Sequence, residues 1–209
     1  MSILESLEWR YATKKFDGNR ILPKEKIDLL KNAFNLTATS YGLQPVRLLV
    51  IEDKKLQESL VAHSWNQRQV ADASHVLVFC IENDLNEDTV VRYFDRVKTI
   101  RETPDEILRS FRDFLVDDFK KKTAEELKAW ATKQAYLCMG NLLTVCAVEG
   151  IDACPMEGFV PEKYDELLGL DALRLQSVLV MPVGYRAEDD MFAGFKKVRK
   201  DLTDSVVEL

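Results

Sequence analysis

Apolar residues near the start of the chain fall at Ile3, Leu4, Leu7 and Tyr11, the spacing of one helix face, and Ser2 with Glu5 forms a capping box in front of them. The pattern predicts a helix over Ser2 to Tyr11. Pro23 opens a second helix whose apolar face is Ile27, Leu30 and Phe34, and the run Thr37-Ala38-Thr39-Ser40-Tyr41-Gly42 then reads as a polar loop ending at Gln44-Pro45. Val46 to Ile51 is a compact strand. His75 to Ile81 is another, apolar nearly throughout and therefore expected to be covered on both faces. Lys54 to Ala73, between the two strands, is expected to be helical.

From Thr89 to Lys122 charge alternates with apolar anchors such as Tyr93, Val97, Ile107, Phe111 and Phe114, which suits amphipathic helices partly open to solvent. Phe111, Phe114 and Phe119 are read as core rather than as a substrate stack, and Trp130 fits either role. Ala135 to Val148 is apolar on nearly every side, so this later part of a helix starting near Ala124 has to be enclosed by protein. A bilayer span needs about 20 residues, so the shorter run is a central core helix, with a subunit interface as a natural place for it. Gln176 to Val183 is a third buried strand, followed by Gly184 and a basic tail. Strands and helices intermix without repeats, which predicts an α/β or α+β sandwich in one domain over residues 1–209.

Charge narrows the function. The 29 basic and 35 acidic residues give a net charge of −6, which argues against general affinity for nucleic acid or an anionic membrane and requires a local basic pocket for any anionic ligand. The N-terminal residues lack a secretory pattern, and the expected location is cytoplasmic. Cys80, Cys138, Cys146 and Cys154 lie in apolar surroundings without a CxxC pair, so they read as reduced buried thiols. With only His63 and His75 in the chain, no metal site is expected. The nucleotide fingerprints GxGxxG and GxxxxGK[ST] are absent. Two basic clusters stand at opposite ends of the chain, Arg10 to Lys15 and Lys196 to Lys200; such runs are usually solvated faces, but each has an Arg and a Lys a few residues apart, suited to gripping a phosphate.

The opening Arg10-Tyr11-Ala12-Thr13-Lys14-Lys15-Phe16-Asp17 resembles the signature of the nitroreductase family. Further matches follow in the family's order: Thr39 to Pro45 is similar to its small-residue loop ending in Gln-Pro, Cys154-Pro155-Met156-Glu157-Gly158-Phe159 to its Pro-x-Glu-Gly turn, and Lys197-Val198-Arg199 to its C-terminal Lys-x-Arg. The likeness runs from about residue 3 to residue 200, through Asp72 to His75 and Lys133 to Tyr136, and is nearest the oxygen-insensitive nitroreductase and dihydropteridine reductase branch.

This resemblance implies a central mixed, mainly antiparallel sheet flanked by helices, in an intertwined homodimer with FMN at the interface. It implies NADH or NADPH as reductant and a small aromatic or quinone-like acceptor, reduced by a ping-pong two-electron mechanism without an obligatory catalytic side chain. By the same resemblance Arg10, Lys197 and Arg199 hold the phosphate and ribityl end, with Tyr11 and Ala12 beside them, and Lys14 faces the N1 and O2 edge of the flavin. There a fixed cation stabilises the negative charge left by hydride addition at N5. Pro155, Met156, Glu157 and Gly158 pass along the flavin, with backbone N–H groups of Glu157 and Gly158 near N5 and O4. Thr39, Ser40 and Gly42 come from the partner subunit, and Asn66 and Gln69 fall near the pyrimidine edge.

The sequence departs from the family's usual serine at Ala12, asparagine at Gly42, lysine at Gln69 and tryptophan at Val46, which removes a hydrogen bond, a cation and an aromatic wall. The physiological acceptor and the choice between NADH and NADPH stay open. So do the alternatives of a dihydropteridine or flavin reductase or other flavin specialist, and of a flavin-binding protein without turnover.

Overall fold

The computed structural model describes all 209 residues. Its frame is a four-stranded sheet of β1 (Val46–Ile51), β2 (His75–Glu82), β3 (Asp152–Ala153) and β4 (Leu175–Gly184), in the order β1-β2-β4-β3. Every strand pair is antiparallel, and the parallel component is the isolated bridge between Ala12 and Ala153. With helices packed on the sheet this is the α+β fold anticipated above.

Residues of β2 alternate between two cores, as the period of two requires. Leu77, Phe79 and Ile81 face a cluster with Leu179, Met181 and Val183 of β4, covered by α2 (Lys24–Asn35) and α7 (Ala124–Val148). Val76, Val78 and Cys80 face the opposite cluster with Leu60, Val70, Met156, Phe159 and Tyr164, under α3 (Lys54–Val61), α4 (Gln69–Asp72) and α8 (Pro161–Leu168). A separate small core holds the hairpin of α5 (Glu87–Arg101) and α6 (Asp105–Lys121) through Val90, Phe94, Leu115 and Phe119. The remaining helices are short, α1 (Ile3–Trp9) at the start and α9 (Leu202–Ser205) near the end. No helix is long and apolar enough to cross a membrane.

Several expectations need correction. Residues 54–73 are not one helix: α3 stops at Val61, and Trp65 and Asn66 take left-handed conformations (φ 53° and 58°) before α4 begins. The Asn66 N–H closes on the Val61 carbonyl, so the helix ladder gives way to a turn. The first helix ends at Trp9, and Arg10 is already extended. Phe119 is core, whereas Phe111 and Phe114 are 48% and 60% exposed and stack on each other. The helix α7 is not fully enclosed, because Tyr136, Leu137 and Val148 lie on an open stripe. The tail is equally open: every residue from 191 to 209 is exposed.

At the start of β2 the Ser74 hydroxyl accepts the Leu22 N–H (2.7 Å) and shares a hydrogen bond with His75 Nδ1 (2.8 Å). The Nε2 side of the ring lies 3.5 Å from Glu52. Burial lowers the His75 pKa below the ordinary 6.5, against the opposing pull of Glu52. A base depressed in the folded state contributes stability above its unfolded pKa and loses it as pH falls through 6.5 toward the folded value. Urea midpoints are expected to drop between pH 7.5 and pH 5, and His75→Gln is expected to flatten that part of the curve. An unchanged slope in the variant would show that other groups set it.

Candidate active site

The two ends of the chain meet in space. The Lys197 ammonium donates to the Arg10 carbonyl oxygen, and Arg10, Tyr11, Ala12, Lys14, Lys197 and Arg199 line one cavity of about 370 Å³ with Trp9, Phe192 and Phe195. Arg10, Lys197 and Arg199 make no ion pair with any carboxylate. Burial lowers the pKa of Arg10, with Arg199 adding to the effect, and burial followed by repulsion from Arg10 and Arg199 lowers Lys197. Arg10 is half-buried and Lys197 and Arg199 are exposed, and three cations that repel one another without an ion pair are relieved when an anion joins them. This donor set fits a phosphate group.

Lys14 links the cavity to a second group of residues. Its ammonium lies 4.0 Å from Cys154 Sγ, and the buried Gln69 amide reaches the same sulfur at 3.9 Å. Two polar donors thus converge beside the residue that precedes Pro155. The following turn is fixed at each end. Met156 pairs with Val180 through both backbone groups and buries its side chain in the core, while Gln67 donates to the Gly158 carbonyl (2.9 Å). Between those anchors the N–H groups of Glu157 and Gly158 donate to no protein acceptor. The Glu157 carboxylate is turned away and accepts from the Tyr136 hydroxyl (2.7 Å). The indole of Trp65 lies over Gly158, where a Cβ would come within 2.8 Å of the ring, and Asn66 next to it is exposed.

Thr39, Ser40 and Gly42 lie elsewhere. Thr39 Oγ1 accepts the Gln44 N–H, the Ser40 N–H donates to Gln134 Oε1, and Gly42 has φ 74°. A Cβ on Gly42 would meet the Tyr93 hydroxyl at 2.7 Å, so the side of this loop is filled from α5 and the glycine has a packing reason. Thr39 and Gly42 line a separate cavity of about 430 Å³ that shares no residue with the first. The structure therefore brings Arg10, Tyr11, Ala12, Lys14, Lys197 and Arg199 together, joins Gln69 and the 155–158 turn to them through Cys154, and leaves Thr39, Ser40 and Gly42 apart.

Sequence reasoning missed the acid that holds the first group. Asp190, 5% exposed, accepts from the Tyr11 hydroxyl (2.7 Å) and from the N–H groups of Lys14 (3.0 Å), Lys15 (3.1 Å) and Phe192 (3.1 Å). Arg186 was missed as well. Its guanidinium donates through Nε to Oδ1 of the buried Asp152 (2.7 Å), its backbone N–H donates to Oδ2 (2.8 Å), and it stacks over Trp9 and Tyr11, bracing the wall of the cavity.

Comparison with known proteins follows the same lines. The family model described as "Nitroreductase family" matches residues 7–185. The oxygen-insensitive NAD(P)H nitroreductase of Salmonella typhimurium is 30% identical, with 100% of each chain covered. Among solved structures, a nitroreductase family protein of Streptococcus pneumoniae superposes with a TM-score of 0.82 at 22% identity, covering 100% of both chains. A protein of Exiguobacterium sibiricum solved in complex with FMN gives 0.86 at 21% identity, covering 100% of this chain and 98% of that one. These structural likenesses establish the fold.

The cation cluster predicts an anion effect that needs no knowledge of the ligand. Phosphate is expected to raise the melting temperature of the ligand-free protein more than chloride does at equal ionic strength, by mass action on the folded state. In the double variant Lys197→Ala/Arg199→Ala the two salts should act alike. An equal response of the native protein to both salts would mean that the cluster is only surface charge.

Proposed function

The chain belongs to the nitroreductase family, and from that membership we propose that it is an FMN-dependent oxidoreductase that uses NADH or NADPH to reduce nitroaromatics, quinones or related acceptors. The observation that carries this reading is the cavity between the chain ends, where Arg10, Lys197 and Arg199 make no ion pair, joined through Lys14, Gln69 and Cys154 to the turn whose N–H groups at residues 157 and 158 have no protein acceptor. In this reading the whole chain acts as one domain. Bound FMN supplies hydride uptake and the transfer of two electrons.

The protein's own residues hold and orient the cofactor. Arg10, Lys197 and Arg199 grip the phosphate, with Tyr11 and Ala12 shaping the wall between them. Lys14 and Gln69 serve the pyrimidine edge with Asn66 near it, and the cation of Lys14 stabilises negative charge gathering there. The turn from Pro155 to Gly158 offers the free N–H groups of Glu157 and Gly158. Met156 contributes its backbone, since its side chain belongs to the core.

Thr39, Ser40 and Gly42 cannot serve the same cavity from the same chain, and we assign them to the site of a second copy. The open stripe on α7 and the exposed tail supply the surfaces for such a homodimer. The exposed rings of Trp65, Phe111 and Phe114 offer flat apolar surfaces for acceptors, which leave and enter the same pocket as NAD(P)H in a ping-pong sequence. No residue marks a 2′-phosphate, so both nicotinamide cofactors remain in the proposal. Reduction of dihydropteridines or free flavin is the second reading on the same site.

Purified protein supplied with FMN is expected to show flavin absorption that bleaches on adding NADH or NADPH under nitrogen and returns with menadione. Protein that takes up no flavin would sink the reading, and flavin that is bound but never bleached would make this a binding protein without turnover. Gln69→Lys adds a cation at the pyrimidine edge and is expected to raise the flavin midpoint potential in a dye-referenced titration. An interaction of ~1.4 kcal/mol corresponds to about 30 mV for a two-electron couple. A potential unmoved or lowered would remove Gln69 from that edge.

A further inference from the structure

Asp190 lies beyond the residues that the family model matches, yet it is the most heavily used carboxylate in the molecule. It sits between two strips of chain that run side by side: the Asp17 N–H donates to the Tyr185 carbonyl, Phe16 bridges Arg186, and the Ala187 N–H donates to the Lys15 carbonyl. This pairing delivers Asp190 to the turn that carries Lys14. Its Oδ2 then accepts the Tyr11 hydroxyl and the N–H groups of Lys14 and Lys15, while Oδ1 accepts the Phe192 N–H at the start of the segment leading to Lys197 and Arg199.

The choice of donors is informative. An acid beside a cluster of cations ordinarily pairs with one of them, as the neighbouring Asp189 does with the Lys15 ammonium. Asp190 contacts none of the cationic groups of Lys14, Arg10, Lys197 or Arg199. Its oxygens are filled by one phenol and three backbone amides. Burial pulls its carboxyl upward in pKa, and these bonds outweigh burial and leave it below the usual carboxylate range. The carboxylate therefore shapes the turn without forming an ion pair with any cation of the cavity. Two adjacent aspartates divide the work, with Asp189 a surface counter-ion and Asp190 an internal clamp.

We propose that Asp190 is a positioning residue that fixes the Lys14 turn, so that the Lys14 ammonium meets the ring of the bound flavin. The inference rests on the flavin reading given above. The Lys14 ammonium has no carboxylate partner and makes its one polar contact with Cys154 Sγ, so the direction of its side chain depends on its backbone. Two of the three N–H groups clamped by Asp190 belong to residues 14 and 15. Without the clamp those two amides lose their acceptor, the turn is held only by the flanking bonds of Thr13, Lys15 and Asp17, and the ammonium loses its fixed distance from the ring.

A double-mutant cycle on riboflavin tests this, because riboflavin carries the flavin ring without the phosphate and so reports on the ring half of the site. Dissociation constants are read from the quenching of riboflavin fluorescence. Asp190→Asn is expected to weaken riboflavin binding about tenfold in the native background and to have no further effect in a Lys14→Met background, the non-additivity of residues acting as one unit. The milder Tyr11→Phe removes one donor to the clamp and should show the same dependence on Lys14 at a smaller size, which covers the case in which Asp190→Asn does not fold. Equal losses in both backgrounds, or no loss in either, would overturn the positioning role while leaving FMN binding by the native protein intact. If the native protein binds neither FMN nor riboflavin, the flavin reading falls and this role falls with it.

Discussion

A strand that is apolar on both faces has to be interior on both sides, and the architecture follows from meeting that requirement for β2. Leu77, Phe79 and Ile81 need one cover and Val76, Val78 and Cys80 another, so helices must pack on both sides of the sheet. The cover over the second face includes Met156, Phe159 and Tyr164, and burying these fixes the turn between residues 155 and 158 at the sheet's far edge. Core packing thus sets the backbone that the site uses. The side chain of Met156 and the main chain of Glu157 are adjacent parts of one device, the first anchored in the apolar interior and the second left with its N–H unsatisfied.

Electrostatics pull against that economy. A protein of net charge −6 gathers Arg10, Lys197 and Arg199 around one cavity, where they repel each other and make no ion pair. The arrangement persists because the scaffold is held by other bonds. Arg186 is neutralised by Asp152 and stacked on two aromatic rings, and Asp190 spends its charge on uncharged donors. Charges of the scaffold are satisfied internally, and those of Arg10, Lys197 and Arg199 along the cavity are left without an ion pair.

Much of this was legible in the sequence wherever a local pattern maps onto a local structure. The runs Val46 to Ile51, His75 to Ile81 and Gln176 to Val183 became strands within a residue or so, because dense β-branched and apolar stretches have few other places to go. The capping box at Ser2 and Glu5 formed as read. The basic clusters at the two ends were recognisable as a pair, and the structure joins them. Other features were hidden for physical reasons. The kink at Trp65 and Asn66 uses left-handed backbone without glycine, and the one signal was Asn66, a residue type enriched in that conformation, lost within an otherwise helical pattern. Phe111 and Phe114 have the spacing of core residues, and spacing cannot distinguish a face that is covered from one that is bare. Asp190, in the acidic run Glu188-Asp189-Asp190, looks like ordinary surface charge until its long-range partners are seen.

The four cysteines bear on chemical durability. Burial pushes the thiols of Cys80 and Cys146 up to about 12 and that of Cys138 up to about 11, and it raises Cys154 as well. Since the thiolate is the nucleophile, all four are held in their unreactive form at neutral pH. Quinones and many other acceptors of electrons are also alkylating agents. Any such electrophile that enters the cavity finds no thiol that is both exposed and ionised.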